Sequence, residues 1–232
     1  MNSSPSEQAP SPVEQKHIAM TENSQSADER INQLTQFARR LIHGENGKML
    51  IDEYQPWLET VNAMETMQTL DQLLEEGIPL ATVKSQLGKI LNVFYKSLQS
   101  QPIPEPTQGH FLHYLMLENR ETEKRLAAIR PALKNFLQNN PAGEKTNLSQ
   151  LRTFLQEIET YELHYLKKEY LLFPHLEEAF PQSRCLSIMW SFHDDFRKYR
   201  KQLSTLLASD KPDKAAINTL FGKLFFVIFP II

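Results

Sequence analysis

Cysteine is almost absent from this sequence, in which Cys185 stands alone among 232 residues. A disulfide within one chain is therefore excluded, which fits a reducing compartment and leads us to expect a cytoplasmic protein. Glycine is also scarce, with 7 residues, and alternating strand patterns are missing. The sequence therefore predicts an all-α fold.

A strong net charge and a long apolar run are missing as well. The formal net charge is -3, so nothing indicates a surface for nucleic acid or for an anionic membrane. No stretch reaches the roughly 18 apolar residues that a membrane-spanning helix needs. The first residues also lack the basic start and the apolar stretch of a signal peptide. We therefore expect neither a nucleic-acid partner nor a membrane partner.

Composition divides the chain into four parts. Residues 1–27 are rich in Ser, Pro, Gln and Glu, which predicts a disordered tail. Apolar residues at helical spacing predict a small helical module over 28–98. Closely spaced prolines favour an extended linker over 99–107. Long helical patterns with short connections then predict an up-down four-helix bundle over 108–232.

The bundle is expected to contain helices over about 108–138, 147–179 and 182–208, and a fourth from about residue 213. Pro131 and Pro174 lie inside these helical patterns, so we expect a kink or a stop near each.

Histidines are concentrated on the first three of these helices, with carboxylates at helical distances from them. The histidines are His110, His113, His164, His175 and His193, and the carboxylates are Glu118, Glu169, Asp194 and Asp195. Imidazole and carboxylate together suit iron, zinc or manganese. A bundle interior can direct such ligands from several helices to one point.

The spacing within each helix limits which of them can act together. His110 and His113 are three apart and can share a face, so either or both could point inward. Four residues after His164 comes Lys168, which cannot bind a metal while charged. Glu169 is five away, so the pair can act together only if the helix is overwound or bulged, or if the two residues bridge two metals. From composition and spacing alone, a metal site and an ordinary helical core remain equally open.

Other conspicuous residues are assigned ordinary roles. His175 follows Pro174 and is interpreted as solvent-facing. Asp194 and Asp195 are expected to form a solvated face with Arg197, Lys198 and Arg200. Core positions are predicted for Cys185 and for the aromatic residues Tyr161, Tyr165, Tyr170, Phe173, Trp190 and Phe192.

Three stretches resemble, in this order, the hemerythrin-like cation-binding family. They are His110 to Arg120, His164 to Pro174 with its closing Leu-Phe-Pro, and Met189 to Arg197. The likeness extends to the branch in which the bundle follows a helical module called domain of unknown function four-three-eight. The segment from Ile31 to Leu98 is similar to that module.

The resemblance implies a four-helix bundle that holds one or two non-haem iron ions. Carried over to this sequence, it implies ligands from His110 or His113, from His164 and Glu169, and from His193. Glu118 matches an acidic position to which we assign no role. Members of the family bind dioxygen reversibly, or sense or handle oxygen, nitric oxide or iron.

The fourth helix departs from the family pattern. The family usually supplies further ligands there, whereas residues 216–232 contain neither histidine nor carboxylate. We therefore expect the chain to be truncated at its C-terminus, with these ligands and a sensor domain that sometimes follows lying beyond it.

The leading hypothesis is an iron-binding sensor or regulator, not an enzyme, that responds to dioxygen, nitric oxide or iron. Ligand binding would shift helix packing, which the first module would read through the proline linker. The expected partners are dioxygen or nitric oxide as the small ligand, and a protein partner or the missing C-terminal sensor domain. The alternative is a helical protein-interaction module with an incomplete or lost metal site. A third hypothesis is a di-iron oxidoreductase that consumes peroxide or oxygen.

Overall fold

The computed structural model of the chain describes residues 12–102, 105–138, 143–180 and 182–228, with side chains described from residue 27 onward. Within these ranges the regular structure is helical, and none of the residues lies in a β-strand. The prediction of an all-α fold is therefore confirmed. No helix in the described part of the chain combines the length and the apolar character needed to cross a lipid bilayer.

The described helices follow one another with short connections. They are α1 (Pro12–Ile42), α2 (Gly47–Leu58), α3 (Ala63–Glu75), α4 (Leu80–Ser100), α5 (Phe111–Leu137), α6 (Glu144–Glu159), α7 (Glu162–Lys167), a π-helical turn (Lys168–Leu172), α8 (Phe173–Ala179), α9 (Leu186–Ala208) and α10 (Lys214–Ile228). The chain divides into two compact units between Gln101 and Pro102, within the segment 99–107 for which a linker is predicted.

The first unit is built around α1, which packs against α2, α3 and α4. Its fully buried core includes Leu34, Phe37, Leu73, Ile90 and Phe94. Helix α1 begins at Pro12 and so reaches into the segment 1–27 for which a disordered tail is predicted; residues 1–11 lie outside the described residues. Neither glycine nor proline occurs between Pro12 and Gly44, so nothing in the backbone interrupts this helix.

The second unit is a four-helix bundle. Helix α5 packs against α6 and α10, and α9 packs against the same two helices. The four helices therefore enclose one core, whose fully buried members are Leu126, Phe136, Leu151, Phe192, Phe196, Leu203, Phe221 and Leu224. The bundle that the sequence predicts is thus present, and the residues that close it come from all four long helices.

The second predicted helix of the bundle, 147–179, is divided into shorter pieces. Helix α6 ends at Glu159, and a π-helical turn separates α7 from α8. In this turn the Phe173 N–H donates to the Lys168 carbonyl, five residues back. Pro174 provides the physical reason, because it has no N–H and its ring would collide with the Tyr170 carbonyl in a regular α-helix. A bulge was one of the conditions under which His164 and Glu169 could act together, but each of them contacts a different partner: His164 contacts Glu118, and Glu169 contacts His193.

Pro131, unlike Pro174, does not interrupt its helix. Helix α5 continues through Pro131 to Leu137, so no stop occurs there.

Candidate metal centre

Two of the candidate histidines are buried inside the bundle. His164 lies on α7 with 1% of its surface exposed, and His193 lies on α9 with none exposed. A fully buried imidazole needs partners for its two ring nitrogens, because an unmade hydrogen bond costs free energy in the interior. The surroundings of these nitrogens therefore define what the site can do.

The Nδ1 atom of His164 faces a carboxylate from another helix. It lies 2.9 Å from Oε2 of Glu118, which α5 supplies. The second oxygen of Glu118 accepts a hydrogen bond from Nζ of Lys167. Burial raises the pKa of Glu118, but the hydrogen bonds from Lys167 and His164 outweigh it and hold the pKa below its usual value. Glu118 is therefore ionised at neutral pH and accepts the Nδ1 hydrogen of His164.

His193, on α9, has an equivalent arrangement. Its Nδ1 atom lies 2.7 Å from Oε1 of Glu169, which is in the π-helical turn. Arg197, one turn further along α9, donates from one nitrogen to both oxygens of Glu169 at 2.9 Å each. This geometry requires the carboxylate form of Glu169, although burial raises its pKa. The Nδ1 atom of His193 is therefore a donor as well.

These contacts determine the state of the two remaining ring nitrogens. Because each Nδ1 donates its hydrogen, the Nε2 atom of a neutral ring carries a free lone pair. Burial lowers the pKa of His164 to about 4 and that of His193 to about 3, so both rings are neutral at neutral pH. Both Nε2 atoms are buried and neither has a hydrogen-bond partner. An imidazole whose Nδ1 hydrogen is held by a carboxylate is the usual form of a metal-ligating histidine.

The remaining candidate ligands are engaged in other contacts. His110 is exposed and caps α5, with its Nδ1 accepting the N–H of Leu112 at 3.2 Å. His113 is half-buried, and its ring packs against Tyr114 at a centroid distance of 5.7 Å. Glu169 reaches the site through Nδ1 of His193 and not through an unpaired oxygen. Across the described ranges, no group of three or more histidine, cysteine, aspartate or glutamate side chains is placed to hold a metal ion.

Lys168 carries positive charge into the same region. Its side chain is buried, and burial lowers its pKa to about 8. Its charge lowers the pKa of both His164 and His193. Lys168, four residues after His164, thus places an amine where a carboxylate would attract a cation. Its positive charge reduces the affinity of the site for positive ions.

Two residues of the site were given other roles or no role from the sequence. Glu118 has no predicted role, yet it holds the ring of His164. Arg197 was expected on a solvated face, but it binds Glu169 and also Glu162, whose Oε1 lies 2.5 Å from its Nε. The four-residue spacing of His193 and Arg197 is the signal in the sequence, since it places both on one face of α9. Asp194, by contrast, is 75% exposed, as expected for a solvated position.

The fold and the site define a class of protein: a four-helix bundle whose interior histidines, each held by a carboxylate, can offer lone pairs to a cation. Comparison with known families agrees with this description. The model of the hemerythrin HHE cation-binding domain matches residues 110–225, which is half of the chain. The chain therefore belongs to the hemerythrin HHE cation-binding family. No curated protein and no solved structure was found to match it.

Proposed function

We propose that the bundle binds a non-haem iron ion through His164 Nε2 and His193 Nε2, and that it acts as a sensor or regulator. The observation that supports this proposal is the pair of buried lone pairs without partners, each on a ring whose Nδ1 hydrogen is held by a carboxylate. A neutral imidazole is a good donor for iron, and the carboxylate behind it makes the ring more basic. The coarser property, cation binding, is that of the family to which the chain belongs.

The side chains at this site have different proposed roles. His164 and His193 would hold the ion, while Glu118 and Glu169 fix the orientation and tautomer of the two rings. Arg197 holds Glu169 in turn through both carboxylate oxygens. A bound iron ion would supply an open coordination position to a diatomic ligand such as dioxygen or nitric oxide.

Small molecules can approach His164 from the side of Glu118. A cleft of about 320 Å³ lies between α5 and the α6–α7 segment, and Glu118, Tyr161 and His164 are among its lining residues. This volume accommodates a diatomic molecule and water, and it lies at the lower end of the range for small-molecule sites. We propose dioxygen or nitric oxide as the ligand that reaches the iron.

The experiment that tests iron binding uses anaerobic titration of the metal-free protein with Fe(II), and with Co(II) as a spectroscopic probe. We expect His164→Gln and His193→Gln each to weaken binding by about tenfold or more, because each removes one of two imidazole donors. His175→Gln is the matched control, since His175 is exposed on α8. Equal affinities for the wild type and all three variants would refute the assignment. Nitric oxide added to the Fe(II)-loaded protein then tests the sensing role by absorption and electron paramagnetic resonance.

A second function, a helical interaction module without a metal, is favoured by two observations. The buried charge of Lys168 acts on both histidines and opposes a cation. Large apolar side chains are also exposed near the site, with Leu163 60%, Tyr170 71% and Leu171 52% accessible. A wild-type protein that takes up neither Fe(II) nor Co(II) in the titration would favour this function over iron binding.

A further inference from the structure

Large apolar side chains are exposed along one continuous helical rod of the second unit. Helix α7, the π-helical turn and α8 follow one another from Glu162 to Ala179, and the backbone stays helical at both junctions. Leu163, Tyr170 and Leu171 on this rod are 60%, 71% and 52% exposed. Single exposed apolar residues are ordinary, but several large ones within a rod of about 25 Å indicate an interaction surface.

These side chains share one face of the rod with a few neighbours. Residues four, seven and eight positions apart return to the same side of a helix, and the extra residue of the π-helical turn keeps the later positions in line. The opposite face carries the buried residues His164 and Phe173, which point into the bundle. We call the outward face the α7–α8 strip, and its members in chain order are Leu163, Lys167, Tyr170, Leu171, Pro174 and Glu178.

The two ends of the α7–α8 strip carry opposite charges. Lys167 lies near the first end, and its side chain is 40% exposed although its Nζ also binds Glu118. Glu178 is exposed at the last end. The carboxylate of Glu162 at the first end is bound by Arg197, so it does not cancel the charge of Lys167. A face with an apolar centre and opposite charges at its ends is complementary to itself when it is turned end for end.

We propose that the α7–α8 strip binds the same strip of a second copy of this chain, antiparallel and about a two-fold axis. Lys167 of each copy lies opposite Glu178 of the other, and Leu171 lies opposite Pro174, because both pairs have the same midpoint along the rod. The axis then passes through the apolar centre of the strip. One helical face from each copy makes a small interface, so we expect a reversible dimer with a dissociation constant of about 10–100 µM.

Sedimentation velocity of the full, metal-free chain tests whether the dimer forms through this strip. Between about 5 and 500 µM, we expect the wild type to pass from monomer to dimer. Tyr170→Glu should weaken the dimer by about tenfold or more, because the symmetric interface then contains two carboxylates at its apolar centre. Tyr95→Glu is the matched control, since Tyr95 is a 57% exposed tyrosine on α4 of the first unit, and it should change the affinity by less than about threefold.

A charge exchange within one chain tests the antiparallel arrangement. Lys167→Glu and Glu178→Lys should each weaken the dimer by about tenfold, because each places like charges opposite one another. The double variant Lys167→Glu/Glu178→Lys should recover the wild-type affinity within about threefold, since each lysine again faces a glutamate. Both variants with glutamate at position 167 lose the contact with Glu118, so recovery in the double variant is not a result of better folding.

Each outcome supports or overturns the inference. A wild type that stays monomeric throughout, equal weakening by Tyr170→Glu and Tyr95→Glu, or a double variant as weak as the single ones overturns it. The inference does not require a bound cation, so it is separate from the proposed function. A dimer that takes up neither Fe(II) nor Co(II) supports the inference and contradicts iron binding, whereas a monomer that binds Fe(II) does the reverse.

Discussion

Replacement of Glu169 by glutamine tests whether this carboxylate organises the site. In the wild type, Glu169 accepts the Nδ1 hydrogen of His193 and two hydrogen bonds from Arg197, with only 3% of its side chain exposed. Glutamine has the same shape but only one acceptor atom, and its NH₂ group would face the guanidinium group of Arg197. At least one charge-assisted hydrogen bond is therefore lost and the others are weakened.

The size of the effect follows from the number and type of these bonds. A hydrogen bond to a charged group contributes about 1.5–3 kcal/mol. Arg197 keeps contacts with Glu162 at 2.5 Å and with Asp194 at 3.2 Å, so its charge is not left unpaired. The loss should thus stay below the roughly 3–5 kcal/mol that follows when a buried ion is stranded. We expect Glu169→Gln to lower the free energy of unfolding of the second unit by about 2–3 kcal/mol.

The two tryptophans of the chain make the measurement specific to the second unit. Trp57 lies on α2 of the first unit and Trp190 on α9 of the second, where it packs against Phe173 at 5.8 Å. In a Trp57→Phe background, urea unfolding followed by the fluorescence of Trp190 reports the second unit alone. The expected loss corresponds to a midpoint lower by about 1 M urea.

A matched variant gives the control for this prediction. Glu162→Gln also removes a carboxylate bound to Arg197, but this side chain is 27% exposed and has no contact with Nδ1 of His193. We expect it to cost about 1 kcal/mol or less. The reasoning is refuted if Glu169→Gln costs less than about 0.5 kcal/mol, or no more than Glu162→Gln does. Misorientation of His193 in the Glu169→Gln protein should also weaken Co(II) binding by about tenfold.

Two further predictions concern the frame that carries the site. Asn62→Ala should lower the stability of the first unit by about 1 kcal/mol, measured by Trp57 fluorescence during urea unfolding, because it removes the capping box in which Asn62 and Glu65 bind each other's backbone N–H at 2.9 Å. Phe221→Ala should lower the stability of the second unit by about 3–5 kcal/mol, since Phe221 is fully buried between α9 and α6 partners such as Phe154. Phe226→Ala, at a position 47% exposed, is its control and should cost clearly less; equal losses would contradict the assigned core.

The sequence predicted the helical fold and the bundle because the information is local and periodic. Apolar residues at spacings of three and four determine which face of a helix is buried, wherever its partners lie. His164 and His193 were singled out by the concentration of histidines on these helices and by the resemblance to the hemerythrin-like family, and their role as ligands stays a prediction. Helix α1 begins at Pro12, inside the segment for which a disordered tail was expected. Composition indicates how costly it is to order a segment, but it does not show how far a helix without glycine or proline extends.

The partners of these histidines could not be read from spacing. Glu118 is 46 residues from His164, and Glu169 is 24 residues from His193. Contacts over such distances depend on the rotation and register of packed helices, which the pattern of one helix does not contain. The π-helical turn could be predicted only in part. Pro174 indicates from the sequence that the helix is disturbed, but the neighbouring packing decides whether the helix bends, stops or widens.

By itself, the sequence determined an all-α chain and a bundle that carries histidines on three helices. The tertiary structure alone decided that Glu118 and Glu169 hold the Nδ1 atoms, and that the two Nε2 atoms and the hydroxyl of Tyr165 are left without partners. The physical reason is that periodicity assigns a residue to a face, whereas the direction of a ring nitrogen depends on the hydrogen bonds that packed helices bring to it.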